Sequence, residues 1–333
     1  MKYKSVVVTK NGPPDVLKIV ENDLREPAAG EARIKVLATS VGGTDLAYRS
    51  GVSPLAPRIP FVPGYEILGV IDALGAGVTN FAVGDRVAAL TGHGGYAETI
   101  YLAKEHLVPV PPALDVAEAV TLILNYVTAY QMLHRVAKVK SGQRVLVVGA
   151  SGGVGISLLE LGRLAGLKMY GTASASKHGL LTGFGAIPID YHTQDLVEVI
   201  RQAEPAGLDF VFDGVGGDYF DRGFGLLRKG GKLVEYAIAR GWSGLLFGLA
   251  KIALWNLLPN GRSVTFYGIS ALYATDKRPF MEDLSVLFKM LADGQIKPVI
   301  AEKLPLLDAA RGHALLESGK VSGNIVLLAP ELL

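Results

Sequence analysis

The chain has 333 residues, which is enough for two domains of ordinary size, each with its own hydrophobic core. Its formal net charge is only +2, so it lacks the basic field that a nucleic-acid partner would require. The sequence contains no cysteine, which excludes disulfides, thiolate chemistry and cysteine-ligated zinc. Because no charged and then apolar leader opens the chain, we expect a cytoplasmic protein in a reducing compartment.

Residues 1–120 are rich in predicted strands and turns. Runs of β-forming residues separated by glycine and proline predict five strands. These strands cover Val6–Thr9, Lys18–Val20, Ala32–Thr39, Glu66–Ala73 and Arg86–Leu90. The segment Asp115–Leu124 then reads as a helix that leads into a different kind of sequence.

One βαβ unit is predicted between residues 140 and 175. A short apolar strand, Val145–Val148, is followed by glycines at 149, 152 and 155, by leucines at helical spacing, and by a second apolar run, Lys168–Thr172. Glycine in such a turn allows a sharp bend, a close approach of a diphosphate, and tight packing of the helix on the strand. The pattern therefore favours nucleotide binding; the alternative is a purely structural turn in a doubly wound domain.

The segment after the second strand indicates which nucleotide is bound. An NAD site usually carries an acidic residue there, on the ribose 2′-hydroxyl. Residues 171–178 read Gly-Thr-Ala-Ser-Ala-Ser-Lys-His and contain no acid, but they contain hydroxyls, a lysine and a histidine. This composition suits a 2′-phosphate and favours NADP(H). In the alternative interpretation, Lys177 only faces water.

Between residue 126 and about residue 270, strands alternate with helices, which predicts a parallel sheet of an α/β fold. Helices are predicted for Thr128–Ala137, Tyr191–Ala203 and Tyr219–Leu227, and further strands for Asp209–Phe212, Lys232–Tyr236 and Val264–Tyr267. Ligands of such sheets bind at the carboxyl ends of the strands. Four residues fall at such ends: Gly149, Thr172, Asp213 and Tyr236.

The most apolar segment is Trp242–Leu258, which at 17 residues is marginal for crossing a bilayer. We expect a buried or interface helix, and a helix lying on a membrane surface is the alternative. The last 60 residues predict two helices and a terminal strand, at Pro279–Ala292, Ala309–Ser318 and Asn324–Leu328.

Taken together, these segments resemble the medium-chain dehydrogenase/reductase superfamily over essentially the whole chain. The motifs that carry the resemblance are P-x-x-P-G-Y-E-x-x-G at Pro60–Gly69, F-A-V-G-D-R-V at Phe81–Val87, G-G-Y-A-E at Gly94–Glu98, T-A-Y at Thr128–Tyr130, the glycine turn, I-D-Y at Ile189–Tyr191 and F-D-G-V-G-G at Phe212–Gly217. The chain looks similar to the zinc-free quinone oxidoreductases, and G-T-A-S-A-S-K-H with I-D-Y-H-T-Q-D looks closest to the vesicle amine transport protein branch.

The resemblance implies an α/β protein in which a GroES-like, β-rich catalytic domain accompanies a Rossmann domain with a doubly wound parallel sheet. The catalytic domain would comprise residues 1–124 and 271–333, and the NADP(H)-binding domain residues 125–270. The cofactor would lie in the cleft between them.

Two departures from the zinc-dependent relatives imply that no metal is bound. Where those relatives carry cysteine and histidine ligands, this chain has Gly42 and Tyr65, and neither suits Zn²⁺. The cysteine-rich structural-zinc lobe is absent as well. Asp45 and Glu66, which lie next to the metal in relatives, are expected to bind backbone or arginine partners here. Zinc-free relatives usually have asparagine at the position of Gly42, so their substrate contact is not expected at this residue.

Hydride delivery to a quinone or an enone places negative charge on a carbonyl oxygen, and hydrogen-bond donors must stabilise it when zinc is absent. The candidate catalytic residues are, in order, Tyr65, which replaces a metal ligand; Thr44, which matches a substrate-binding hydroxyl; and Tyr48, one helical turn later. Each has a plain alternative, since tyrosines pack in cores and threonines cap helices.

Cofactor contacts are also implied by the matching motifs. The diphosphate would meet the glycine turn, the 2′-phosphate the segment after the second strand, and the nicotinamide the start of the Thr128 helix and the C-terminal tail. The residues are Gly152, Gly153, Val154, Ser174, Lys177, Tyr191, Gly214, Val215, Thr128 and Asn324.

The resemblance implies a zinc-independent, NADPH-dependent oxidoreductase acting on a quinone or an α,β-unsaturated carbonyl. The alternatives are an enoyl-thioester reductase, and a nucleotide-binding protein with little turnover that contacts lipid or a partner through residues 242–258. Val264–Ile269 is apolar on both faces and resembles the strand that relatives pair across a homodimer, so we expect a homodimer.

Overall fold

The computed structural model describes all residues from 1 to 333 and divides into two units. Unit 1 comprises Met1–Val127 and Asp276–Leu333, and unit 2 comprises Thr128–Thr275. The divisions therefore lie three and five residues beyond the expected boundaries at 124 and 270.

Unit 1 is built mainly from antiparallel strands. Strands β1 and β2 form a two-stranded sheet, and a seven-stranded sheet has the order β14-β15-β3-β4-β5-β7, with β6 also paired to β3. The strands are β1 Lys2–Val8, β2 Leu17–Asp23, β3 Glu31–Val41, β4 Glu66–Leu74, β5 Arg86–Leu90, β6 Thr99–Ala103, β7 Val108–Pro109, β14 Ile300–Pro305 and β15 Asn324–Leu328.

The C-terminal tail joins this sheet because β15 pairs with β3 in antiparallel register. All five residues of β15 are buried, as expected of a central strand. The helices of unit 1 are α1 Gly43–Ser50, α2 Val116–Thr121, α10 Arg278–Ala292 and α11 Ala309–Glu317, and a π-helical turn at Leu122–Tyr126 extends α2.

Unit 2 contains one sheet of six parallel strands in the order β10-β9-β8-β11-β12-β13. Numbered within the unit, this is the order 3-2-1-4-5-6 of a Rossmann sheet, whose strand order reverses beside β8. The strands are β8 Arg144–Val148, β9 Lys168–Ala173, β10 Ile187–Asp190, β11 Leu208–Asp213, β12 Leu227–Glu235 and β13 Ser263–Phe266.

Six helices belong to unit 2, and a π-helical stretch at Gln131–Ala137 precedes all of them in the chain. They are α4 Gly153–Leu164, α5 His178–Gly183, α6 Leu196–Ala203, α7 Asp218–Gly225, α8 Gly241–Leu257 and α9 Ile269–Thr275, and the short α3 Val127–Tyr130 spans the division between the units.

The predicted start of α6 at Tyr191 is wrong by five residues. Residues 191–194 form a turn, because the Asp190 carboxylate accepts the His192 backbone N–H and the Thr193 hydroxyl. The helix begins only after Asp195, whose side chain accepts two backbone N–H groups of the first turn.

For Trp242–Leu258 we expected a buried or interface helix; a buried helix is wrong, since α8 has no buried residue, and an interface helix stays a prediction. One edge of α8 is anchored: Trp255 stacks on Phe224 at 4.1 Å between ring centroids, and the Asn256 amide exchanges hydrogen bonds with the Val264 backbone. The remaining faces are apolar and exposed, with Phe247 at 69 % and Leu257 at 82 %. None of the helices combines the length and the apolarity that crossing a bilayer requires.

Candidate functional site

Two positions of the glycine turn of unit 2 require glycine, each for a different steric reason. Gly149 follows β8 with φ of +79°, a conformation that side chains rarely adopt. A Cβ on Gly155 would lie 2.4 Å from the Gly149 carbonyl oxygen, so only glycine lets α4 approach the turn this closely. Thr172 fixes the turn from the neighbouring strand, because its hydroxyl accepts the Gly149 N–H at 2.9 Å.

The N-terminus of α4 has the features of an anion-binding site. Gly152 is its N-cap residue, no side chain caps the helix, and the first turn contains no acidic residue. Gly153 and Val154 occupy the first two helical positions, where backbone N–H groups lack intrahelical acceptors. A Cβ on Gly152 would have no contact closer than 3.6 Å, so there is open space beside the backbone. These residues fit a diphosphate.

The segments after β9 and β10 lie at the same edge of the sheet as the glycine turn, since β8, β9 and β10 are neighbouring parallel strands. After β9, the hydroxyls of Ser174 and Ser176 lie 3.3 Å apart, and burial lowers the pKa of Lys177. After β10, Tyr191 is 48 % exposed. The acid at the end of β10, Asp190, is used within its own turn. The set fits a nucleotide that carries a 2′-phosphate.

At the end of β11, the loop Gly214–Gly217 is held by an acid. The Asp213 Oδ1 atom accepts the backbone N–H groups of Val215 and Gly216, each at 2.9 Å. A Cβ on Gly149 would lie 3.2 Å from a methyl group of Val215, so this loop reaches the glycine turn. The structure thus brings Gly214 and Val215 to the edge that also carries the residues after β8 and β9.

Thr128 and Asn324 have different surroundings. Thr128 is 5 % exposed, and its hydroxyl oxygen is buried without a hydrogen-bond partner. Such an orphaned group fits a polar ligand that supplies the missing partner. Asn324, by contrast, accepts from the Asn125 amide at 2.7 Å and donates to the Val299 carbonyl at 3.0 Å. Its amide is engaged within unit 1, and a cofactor contact there stays a prediction.

In unit 1, the candidate catalytic tyrosines lie together. The rings of Tyr48 and Tyr65 are 6.3 Å apart between centroids, and burial and the neighbouring Tyr65 hydroxyl raise the pKa of Tyr48. Thr44 precedes Tyr48 by one turn of α1, so the two side chains project from the same face. The Tyr48 hydroxyl therefore remains a protonated donor at neutral pH.

The turn before Tyr65 is fixed by Gly64, which has φ of +100°. A Cβ there would lie 2.6 Å from the Gly95 Cα and the Tyr96 nitrogen, so two loops can meet only with glycine at this point. The Gly64 N–H donates to Asp45 Oδ1 at 2.9 Å, and the Gly42 N–H donates to Asp45 Oδ2 at 3.0 Å. The prediction of backbone partners for Asp45 is confirmed.

Glu66 differs from that expectation, because its partner is the Ser40 hydroxyl. Burial raises the pKa of Glu66 to about 8 and that of Asp45 to about 6. Glu66 therefore keeps its proton at neutral pH, which avoids a second buried negative charge beside Asp45. No cluster of three acidic or histidine side chains in the structure could hold a metal ion.

A buried polar chain behind Asp45 was not predicted from the sequence. The Tyr96 hydroxyl hydrogen-bonds to Asp45 and lies 3.2 Å from Nε2 of His313, whose Nδ1 is 3.4 Å from the Arg49 guanidinium. Arg49 also pairs with Glu317. Burial, with the nearby Arg49 charge, lowers the pKa of His313 to about 3, so this imidazole is neutral. The G-G-Y-A-E motif was the only available signal, and it indicates Tyr96 alone.

Comparisons with known proteins agree with this architecture. Residues 28–112 match a family model described as "Alcohol dehydrogenase GroES-like domain", and residues 183–327 match one described as "Zinc-binding dehydrogenase". The Danio rerio "Synaptic vesicle membrane protein VAT-1 homolog" is 32 % identical over 98 % of this chain and 70 % of its own length. The Rattus norvegicus "Quinone oxidoreductase" is 31 % identical over 98 % of both chains.

A solved structure extends the match to three dimensions. The Escherichia coli quinone oxidoreductase complexed with NADPH has a TM-score of 0.86 and 28 % identity, over 98 % of this chain and 99 % of that one. The identities of 31–32 % over nearly the whole chain establish common family membership. The chain belongs to the oxidoreductases of the medium-chain dehydrogenase/reductase superfamily, as a zinc-free, quinone oxidoreductase-like member of the VAT-1 branch.

Proposed function

We propose that the protein is a zinc-independent oxidoreductase that uses NADPH to reduce a quinone or an α,β-unsaturated carbonyl. The observation that carries this proposal is one sheet edge of unit 2, where an uncapped glycine-rich helix start lies beside an acid-free segment containing Ser174 and Lys177. A second support is the NADPH named for the similar Escherichia coli enzyme. Unit 2 is then the nucleotide-binding domain and unit 1 the catalytic domain.

Different residues of unit 2 bind different parts of the nucleotide. The backbone of Gly152, Gly153 and Val154 binds the diphosphate, and Ser174 and Lys177 bind the 2′-phosphate, which a positive charge and hydroxyl donors suit. Tyr191 packs on the adenosine, while Gly214, Val215 and Thr128 contact the nicotinamide half. Bound NADPH supplies the hydride that the chain's own side chains cannot provide.

In unit 1, the substrate oxygen is stabilised by hydroxyl donors. Tyr65 donates a hydrogen bond to the carbonyl oxygen on which charge develops, and the neighbouring Tyr48 hydroxyl orients the Tyr65 hydroxyl. Thr44 is a further donor on the same face of α1 as Tyr48. Because Tyr65 is only 6 % exposed, its hydroxyl acts away from bulk water, where a hydrogen bond is stronger.

The test measures oxidation of NADPH with a panel of quinones, enones and enoyl thioesters. We expect turnover with quinones or enones, and Tyr65→Phe should lower kcat by about 10²–10³-fold, the usual cost of losing one donor to the developing charge. NADPH affinity, measured by calorimetry, should stay the same in this variant. A matched control is Tyr101→Phe, which removes an exposed hydroxyl bonded to the Arg25 backbone.

Three results would contradict the proposal. If enoyl thioesters alone are reduced, the enoyl-thioester reductase alternative replaces it. If the Tyr65→Phe variant reduces its acceptor as fast as the unchanged protein, Tyr65 does not have the proposed role. If NADPH binds but no acceptor in the panel is reduced, the protein is a nucleotide-binding protein with little turnover.

The second candidate function, a nucleotide-binding protein with little turnover, is favoured by one observation, the exposed apolar surface of α8. Six of its large side chains are between 47 % and 82 % exposed: Trp242, Leu246, Phe247, Leu249, Leu254 and Leu257. Exposed patches of this kind mark sites that contact membranes or other proteins. In this function, α8 lies on a lipid surface or a partner. A cytoplasmic location and a homodimer remain predictions.

A further inference from the structure

Two acidic side chains lie side by side at the carboxyl edge of the sheet of unit 2. Strands β11 and β12 are neighbouring parallel strands, and their register pairs Asp213 with Glu235 at the last position of each. Residues paired in this way project to the same face of a sheet, about 5 Å apart. The neighbouring positions across the flanking strands are apolar: Val148 beside Asp213, and Phe266 beside Glu235.

The hydrogen bonds of this pair are incomplete if both acids are ionised. Asp213 Oδ1 is occupied by the backbone N–H groups of Val215 and Gly216. Asp213 Oδ2 and Glu235 Oε2 are both buried and have no donor. Two ionised carboxylates are acceptors only, so neither can satisfy the other. One proton between them turns one acid into a donor and satisfies both oxygens.

The surroundings offer no cation that could replace this proton. The titratable groups facing the pair are the Tyr236 hydroxyl on β12 and the Tyr219 hydroxyl on α7. The guanidinium of Arg222 and the hydroxyl of Tyr191 act on Tyr219, and neither is among the groups that shift the pKa of Glu235. Burial and mutual repulsion raise the pKa of Glu235 to about 9, and burial raises that of Asp213.

We propose that Asp213 and Glu235 share one proton at neutral pH, and that this protonated pair positions the loop Gly214–Gly217 for nucleotide binding. Glu235 acts through Asp213, and Asp213 holds Val215 and Gly216 by its other oxygen. Val215 in turn lies beside the glycine turn, 3.2 Å from the position that a Cβ on Gly149 would occupy. The inference rests on the proposed NADPH site and adds a positioning residue to it.

Loss of the shared proton releases the loop. When the proton leaves to solvent, two adjacent carboxylates repel each other in a buried setting, and Asp213 must move with the backbone it holds. The loop then no longer presents Val215 and Gly216 beside the glycine turn. Nucleotide affinity therefore falls as the pH rises through the pKa of the pair, and it is retained below that pKa.

The experiment measures the NADPH dissociation constant by calorimetry between about pH 7 and pH 10.5 for the unchanged protein, Glu235→Gln and Glu235→Leu. For the unchanged protein, we expect the constant to rise by about tenfold per pH unit above the pKa of the pair, the slope of one linked proton. Glu235→Gln should follow a flatter curve, because its amide donates to Asp213 without titrating. Glu235→Leu leaves Asp213 without a donor and should bind about tenfold more weakly at neutral pH.

Titration of Lys177 affects all three proteins alike, so the difference between the curves is the informative quantity. A second measurement needs no nucleotide: the infrared carbonyl band of a protonated carboxylic acid should be present at neutral pH, vanish on alkaline titration, and be weaker in Glu235→Gln. Parallel affinity curves, or no change of this band in Glu235→Gln, would overturn the inference. If the unchanged protein binds no NADPH at neutral pH, the proposed function fails and the positioning role fails with it, whereas the infrared band still tests the shared proton by itself.

Discussion

In the proposed function, Lys177 is the side chain whose charge would most directly distinguish NADPH from NADH. It follows β9 in a segment without acidic residues, and partial burial lowers its pKa. A 2′-phosphate would offset the desolvation cost of the partly buried ammonium group with a charge-assisted hydrogen bond, which contributes about 1.5–3 kcal/mol. NADH has no group at this position, so it gains nothing from the lysine.

Lys177→Ala should therefore weaken NADPH binding by about tenfold to a hundredfold and change NADH binding by less than about twofold. Calorimetric titration with both nucleotides measures this directly. Lys229→Ala is the control, because Lys229 is exposed and lies near the start of β12, away from the segment after β9. Equal losses for the two nucleotides would remove the 2′-phosphate assignment.

Single residues were predictable where a motif constrains the backbone. The resemblance to the zinc-dependent relatives predicted backbone or arginine partners for Asp45, and the structure gives it two backbone N–H partners. The chain of Tyr96, His313 and Arg49 could not be predicted, because His313 is more than 200 residues from both of the others and meets them only after β15 joins the sheet and α11 packs on it. Glu235 was missed for a related reason, since its significance depends on its register with Asp213.

At the level of elements, periodicity located most strands and helices, and local side-chain bonds decided where they end. The terminal strand was predicted at Asn324–Leu328, as observed, where four consecutive apolar residues follow Asn324. The α6 helix was predicted too long because residues 191–194 have no feature that forbids a helix. The hydrogen bonds that the Asp190 side chain accepts form the turn, and the cap at Asp195 starts the helix.

Helix α8 shows the limit of composition as a guide to burial. Its sequence is apolar on all sides, which in a globular protein usually indicates a core helix. In the structure, only the edge bearing Trp255 and Asn256 packs on unit 2, because α7 and β13 can cover one side of a helix and no other element covers the rest. The exposed faces are therefore available for a lipid surface or a partner.

If α8 binds a lipid surface, Leu246→Gln/Leu257→Gln should weaken binding to liposomes by up to about a thousandfold and abolish flotation, since burying each leucine side chain in lipid contributes about 2 kcal/mol. Thermal stability should not change, because both side chains are already 63 % and 82 % exposed. The matched control is Leu55→Gln/Val83→Gln, whose residues are 64 % and 63 % exposed in unit 1. No flotation of the unchanged protein would exclude the lipid-binding function.

At the scale of the whole molecule, the order of the parallel sheet leaves β13 at one edge and β10 at the other. An uncovered edge strand can pair with another chain, and charged residues on it prevent such pairing. Strand β13 carries no charge in Ser263–Phe266, and Phe266 is 43 % exposed, although the Asn256 amide of α8 already occupies the backbone N–H and carbonyl of Val264. Strand β10 contains a proline and ends in Asp190, features that oppose pairing.

We therefore expect the protein to be a homodimer joined through β13, with a mass of two chains by size-exclusion chromatography and light scattering at micromolar concentration. Phe266→Lys should convert it to a monomer, because a lysine on the pairing edge would be desolvated without a partner. Ile187→Lys places the same charge on the opposite edge of the same sheet and should leave the dimer intact, since Ile187 is 46 % exposed on β10. If the unchanged protein is monomeric at this concentration, or if Ile187→Lys dissociates the dimer and Phe266→Lys does not, the interface lies elsewhere than β13.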